Sequence, residues 1–200
     1  MDWFIADLHF FHRRVIEYSG RPWDTLEHMT EGLIKNWNAR VGKEDRVFVL
    51  GDFSFGSKPQ IKELVPRLQG KKILIKGNHD MRNGIFYVEA GFASVSQYPM
   101  FYTDEAHGIT QRFLLSHEPI FPEVGDLINI HGHLHNGVNH NFYAPQHYCV
   151  SVEQTDYRPV TLPEILRRIA ERNDNWSELA LSRKGDYDVR QVVREEIIRQ

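Results

Sequence analysis

Apolar residues along this chain gather into five short runs, and each run stops at a residue that can bind metal or carry a proton. WFIA precedes Asp7, Leu8 and His9, and RVFVLG precedes Asp52. KKILIKG precedes Asn78, His79 and Asp80, RFLLS precedes His117, and LINIHG precedes His133, Leu134 and His135. The runs have strand length and are rich in Val, Ile, Leu and Phe, the pattern of strands buried on both faces. In layered α/β folds the ligand site lies outside the carboxyl ends of the strands. Separate strand ends can therefore deliver His, Asp and Asn into one crevice.

Between the runs, apolar positions recur at helical spacing. Leu26, Met29, Leu33, Ile34 and Trp37 predict a helix over 23–38, capped by Asp24 or Thr25 behind Pro22. A shorter helix is predicted over 59–68, started by Ser57 or Lys58 and bent or restarted near Pro66. Ile165, Leu166 and Ile169 mark a third over 163–171, and residues 93–102 and 147–152 read as further strands. Strand and helix alternate first and strands then dominate, which predicts an α/β sandwich of sheets flanked by helices. Residues 172–188 are polar and loop-like. Val189, Val192, Val193, Ile197 and Ile198 then form an apolar stripe with Arg and Glu opposite. The expected organisation is a domain over 1–165 and a helical extension over 166–200 that packs on it.

Composition narrows the function. Two hundred residues suit one domain with a substantial core. A net charge of −3 argues against whole-surface binding of long nucleic acid or of an anionic membrane. The single cysteine, Cys149, allows neither an intramolecular disulfide nor a cysteine-rich zinc site, and it reads as a buried hydrophobe. No apolar run approaches the roughly 20 residues of a membrane span. The start, MDWFIADLHF, lacks the positive region of a signal peptide, so a cytoplasmic setting is expected. The outlying count is histidine, at eleven.

Each polar motif alone is weak evidence, since Asp-x-His and Gly-Asp recur by chance and Gly-Asn-His-Asp suits a tight turn. Five of them in order, each at a strand end, point to one convergent site. Imidazole, carboxylate and amide donors without thiolate suit Mn, Fe, Zn, Ni or Co better than Mg or Ca. Two such ions about 3.5–4 Å apart need a bridging carboxylate and can hold both oxygens of a phosphoryl transfer. Gly51, Gly77 and Gly132 allow the backbone to turn sharply and approach closely.

DLH at 7–9, GD at 51–52, GNHD at 77–80, His117 and GHLH at 132–135 together resemble the five motifs of the calcineurin-like metallophosphoesterases, over about residues 2–160. The resemblance implies a four-layer α/β/β/α sandwich with two mixed β-sheets. It implies two divalent transition metals, most often Mn, with Asp7, His9 and His135 on one and Asn78, His117 and His133 on the other. Asp52 would bridge them. His79 would protonate the leaving oxygen, with Asp80 either orienting it or serving only the turn. A hydroxide bridging the metals would attack phosphorus in a phosphodiester or small nucleotide. HFFHRRVI at 9–16, the Trp-Asn pair of LIKNWN, DFSFG at 52–56 and the stretch from VSVE to YRPVTLPEI are similar to a subgroup of small stand-alone bacterial or phage phosphoesterases.

Several residues have competing roles. His12 and Arg13, just past the first motif, are candidate phosphate contacts or solvated residues. Arg14, Arg21 and Arg82 are further cations near the motifs. His131 reads as a strand-end neighbour of the ligands rather than one of them. His28, His107, His140 and His147 read as ordinary packing or surface residues, and 135–143 as a specificity loop or a turn. Two other functions fit the motifs: a nuclease on short or cyclic oligonucleotides, and a non-catalytic metal-binding scaffold. A monomer or weak homodimer is expected.

Overall fold

The computed structural model describes residues 1–104, 109–120, 127–137 and 146–172. The apolar runs form strands. β1 (Asp2–Ile5), β2 (Arg46–Leu50), β3 (Lys71–Ile75) and β4 (Ser94–Ser96) run parallel in one sheet. β5 (Met100–Asp104), β6 (Ile109–Leu115), β7 (Ile128–His131) and β8 (His147–Cys149) form a second, in the order β5-β6-β7-β8. β9 (Val160–Thr161) returns to pair antiparallel with β1, so the first sheet reads β4-β3-β2-β1-β9. The second sheet is mixed as well, because β5 opposes β6 while β6, β7 and β8 run parallel. The fold is α/β, with two mixed sheets and flanking helices, as expected.

Side chains on a strand alternate between its faces, and here each face has its own core. Trp3, Ile5, Val47, Val49 and Leu74 pack towards the helices. Phe4, Ala6, Phe48, Leu50 and Ile75 pack against Tyr102, Phe113, Leu115, Ile128, Ile130 and Tyr148 of the second sheet. Phe4 and Phe48 stack with centroids 5.3 Å apart, and the Tyr102 ring meets both edge-on. This double burial explains why β1 and β2 are apolar beyond their first residues, Asp2 and Arg46.

Most of the helices begin at a side-chain cap. α1 (Arg14–Tyr18) is short and buries only Val15. In α2 (Leu26–Asn38) the cap is Thr25, whose hydroxyl accepts from His28 N, while Asp24 pairs with the His28 ring instead. α3 (Lys58–Leu64) starts with a capping box between Ser57 and Gln60 and tightens into a 3-10 turn at Val65–Arg67, around Pro66. α4 (Gly84–Ala90) had no sequence expectation. The Asn83 side chain caps it at Phe86 N, and Gly91 ends it at φ 113°.

α5 (Leu162–Arg172) covers the helix expected over 163–171. It runs unbroken through residue 165, and Ile165, Leu166 and Ile169 belong to the core between the sheets. The proposed stripe at 189–198 lies outside the described residues, as do His107 and His140 and most of the 135–143 loop. No described helix is long and apolar enough to cross a membrane.

Because β1, β2 and β3 are parallel, their carboxyl ends share one edge. Residues 150–152 join that edge to the second sheet. Val150 N donates to His131 O, Ala6 N to Val150 O, and Val152 N to Ala6 O, all at 2.7–3.1 Å. The carboxyl ends of both sheets thereby face one another across a single crevice.

Candidate metal centre

The backbone at this crevice is held in an unfavourable conformation. Asp7, His9, Asp52, His133 and His135 all have positive φ, between 49° and 72°. Each such non-glycine residue costs on the order of 1 kcal/mol or more, so the surrounding bonds must impose it. They do: Asp7 N donates to Gly51 O, His9 N to Asp52 O, and Phe10 N to Phe53 O, lacing the loop after β1 to the loop after β2. At Gly132 a Cβ would stand 2.6 Å from Asp7 Oδ2 and 2.5 Å from Ala6 Cβ, so only glycine lets this turn approach Asp7.

One group of donors comprises Asp7, His9 and His135, whose ligand atoms lie within 4.8 Å of one another. Asp7 is fully buried, and its Oδ2 accepts from Ser151 Oγ at 2.6 Å and His133 N at 2.8 Å. Its Oδ1 has no hydrogen-bond partner, and neither does His9 Nε2. These buried orphan atoms sit 4.0 Å apart, with His135 Nε2 3.9 Å from the same Asp7 oxygen. The His135 Nδ1–H donates to Glu153 Oε1 at 2.9 Å, which turns Nε2 towards Asp7. Burial raises the Asp7 carboxyl to about 6 and lowers His9 to about 2. Burial also opposes charge on His135, but the Glu153 hydrogen bond and the Asp7 charge outweigh it and raise that pKa.

The second group gathers around His117. Its Nδ1–H donates to Leu50 O at 2.9 Å, which leaves a lone pair on Nε2. That nitrogen stands 2.8 Å from Asn78 Oδ1, 3.1 Å from His133 Nδ1 and 3.6 Å from Asp52 Oδ1. Four lone-pair donors thus converge, a set that a cation satisfies and mutual hydrogen bonding does not. Ligands at about 2.0–2.2 Å from an ion stand roughly 3 Å apart, close to this spacing. Asp7, Asp52 and His117 also place ligand atoms within 4.8 Å of one another. The donor sets therefore fit divalent ions, and the absence of sulfur matches the mixed nitrogen and oxygen chemistry.

Asp52 lies between the two groups. Its Oδ2 is 3.4 Å from His9 Nε2, while its Oδ1 faces His117 and accepts from His79 N at 2.9 Å. The His79 ring is half exposed, with Nε2 4.0 Å from Asp52 Oδ2. It therefore faces the crevice from the solvent side without joining either donor group.

Of the two roles open to Asp80, the hydrogen bonds favour the turn. Its carboxylate makes no hydrogen bond to the His79 ring. It accepts instead from Gly77 N, Asp52 N, Phe53 N and Tyr87 Oη, at 2.8–3.3 Å. Asp80 fastens the loop after β3 to the loop after β2, which is the turn role extended across two segments. Arg21 is corrected. It is buried, and it donates to Asp7 O, Leu8 O and Glu153 Oε1, so it braces the first motif rather than awaiting phosphate. Arg82 donates to Gly56 O at 3.3 Å. Arg13 is exposed just ahead of α1, with no side-chain hydrogen bond among the described residues. His12 lies nearer, its ring 5.4 Å from that of His9. His131 ends β7, fully buried, and stands outside both donor groups. His147 is buried and His28 exposed.

Three participants escaped the sequence reading. Ser151 and Glu153 lie in the VSVE stretch, whose charge after an apolar run was the available signal. Phe55 lies in DFSFG and is exposed beside His79. Glu153→Gln should weaken ion binding at the Asp7–His9–His135 group by about 10–100-fold, the usual cost of losing a ligand's hydrogen-bond partner, and spare the other group. Calorimetric titration of the metal-stripped chain checks this by resolving the two positions.

Comparison with known proteins agrees with this geometry. The chain is 33% identical over 173 residues to an uncharacterized protein of Methanocaldococcus jannaschii, covering 82% of this chain and 89% of that one. It is 32% identical over 163 residues to the gene 66 protein of Mycobacterium phage D29, covering 68% and 79%. Over 81 residues it is 46% identical to the gene 66 protein of Mycobacterium phage L5, 39% of each chain. The crystal structure of a protein of unknown function from Aquifex aeolicus shares the fold, with a TM-score of 0.66 at 23% identity over 84% of this chain and 98% of that one. The model of the calcineurin-like phosphoesterase family matches residues 3–194, well past residue 160. With both donor groups assembled at the strand ends, the chain belongs to the calcineurin-like phosphoesterase family.

Proposed function

We propose that this chain is a dinuclear phosphoesterase, most active with Mn, that hydrolyses phosphodiesters or small nucleotides. The observation that carries this reading is Asp52, whose two oxygens face two different donor groups. Asp7, His9 and His135 would hold one ion, Asn78, His117 and His133 the other, and Asp52 both. Ions bound there lower the pKa of water and take up phosphate charge. The chain's own contribution is position. Ser151 and His133 N fix one oxygen of Asp7, Glu153 turns His135, and Leu50 O turns His117. His79, on the open side, donates the proton that the leaving oxygen needs. His12 lines the mouth, and Arg13 is the nearest exposed cation in sequence.

A complete donor set beside a half-exposed histidine favours catalysis over a scaffold role. The net charge of −3 and the compact chain favour small substrates over long nucleic acid. The test strips the chain with chelator, reloads it with Mn, Ni, Co or Zn, and follows bis-p-nitrophenyl phosphate. Mn-dependent release of p-nitrophenol is expected. No turnover with any of the four metals overturns the reading.

A further inference from the structure

Beside His79, on the open side of the crevice, the chain presents aromatic surface that metal binding does not require. Phe53 and Ser54 are buried, but Phe55 between Ser54 and Gly56 is 43% exposed. Its ring centroid stands 4.9 Å from that of His79, and it stacks on His12 at 4.0 Å with planes 18° apart. Tyr18, 65% exposed, meets the His12 ring edge-on at 6.1 Å. The backbone beneath is fixed. Phe55 N donates to Phe10 O at 2.9 Å, and Gly56 N to Ser54 Oγ at 3.0 Å. An apolar ring held rigidly in solvent next to a proton donor is preorganised for a ligand.

We propose that Phe55, backed by His12 and flanked by Tyr18, forms the leaving-group wall of the site and selects phosphoesters whose leaving group carries an aromatic ring. The inference rests on the phosphoesterase reading, in which His79 serves the leaving oxygen. Whatever is attached to that oxygen must pass the Phe55 ring, because the two rings are neighbours. An alkyl group gains only apolar contact there. A flat ring gains a stacking face, worth about 10-fold or more in affinity per ring. A nucleobase and a simple aryl group share this chemistry.

The test compares Phe55→Leu and Phe55→Tyr with the wild type on three diesters: an adenosine dinucleotide, bis-p-nitrophenyl phosphate and glycerophosphoethanolamine. Leucine keeps the apolar cover of His12 and removes the aromatic face. We expect Phe55→Leu to raise KM about 10-fold for at least one aromatic diester and to change kcat/KM for the alkyl diester less than twofold. Phe55→Tyr should restore the aromatic KM. A rise with the dinucleotide alone identifies a nucleobase, and a rise with both identifies any aryl group. Equal changes on all three diesters, or none on any, overturn the proposal. A second measurement does not depend on turnover. In Phe55→Trp, AMP should quench the indole fluorescence of the Mn-loaded chain and ribose 5-phosphate should not. Absence of hydrolysis by the wild type with selective quenching overturns the phosphoesterase reading but keeps the wall. Hydrolysis with no selective quenching and no selective KM change does the reverse.

Discussion

Replacing Asp52 with Asn is expected to abolish turnover and to weaken both ion positions at once. Asn has the same shape, so its amide oxygen can still accept from His79 N as Asp52 Oδ1 does. What changes is the other end, where an N–H₂ would face His9 Nε2 in place of an oxygen 3.4 Å away. The charge shared between the donor groups is lost as well. Removing a mere hydrogen-bond partner of a ligand costs about 10–100-fold in ion affinity, so losing the shared ligand should exceed about 100-fold at both positions. Calorimetric titration and elemental analysis measure this. The stability of the stripped chain should move the other way. Burial raises the Asp7 carboxyl, and the Asp52 charge adds to that rise, so neutralising Asp52 relieves repulsion. A stripped D52N chain should therefore melt no lower than stripped wild type while losing the rise in Tm that Mn gives the wild type. A lower Tm in the stripped variant would show that Asp52 serves the fold rather than the ions.

His79→Ala is expected to do the opposite: keep the ions and lose turnover. The ring is half exposed and joins neither donor group, and the bond to Asp52 comes from its backbone N–H, which alanine retains. Metal content should match the wild type. Turnover should fall by about 10²–10⁴-fold, the usual worth of a positioned acid. The loss should depend on the leaving group. p-Nitrophenolate leaves without a proton, so bis-p-nitrophenyl phosphate should lose least and an alkyl or nucleoside diester most. Steady-state kcat on both kinds of diester, beside metal analysis, checks this. Equal losses on both would remove His79 from proton transfer, and lost metal would make it a ligand.

Much of this was legible in the sequence because strand ends leave a local signature. An apolar run followed by Asp-x-His, Gly-Asp or Gly-Asn-His-Asp can be read without any partner, and all seven candidate ligands stand where such runs stop. What was illegible depends on partners far along the chain. Arg21 and Glu153 are 132 residues apart, so nothing local marks Arg21 as a brace rather than a phosphate contact. Asp80 sits in a turn motif, yet two of its backbone partners belong to a loop nearly thirty residues earlier. The positive φ of Asp7, His9, Asp52, His133 and His135 has no compositional cue, because it is imposed by hydrogen bonds between loops. The place of α5 was illegible for a related reason: its apolar stripe marks a helix, but not that the helix completes the core between the sheets.

The central claim is that two ions share Asp52. Crystals of the Mn-loaded chain measured at the manganese absorption edge test it most directly. The account predicts two anomalous peaks per chain, one among Asp7, His9 and His135 and one among Asn78, His117 and His133, with an Asp52 oxygen on each. A single peak, or two peaks of which only one touches Asp52, would contradict it.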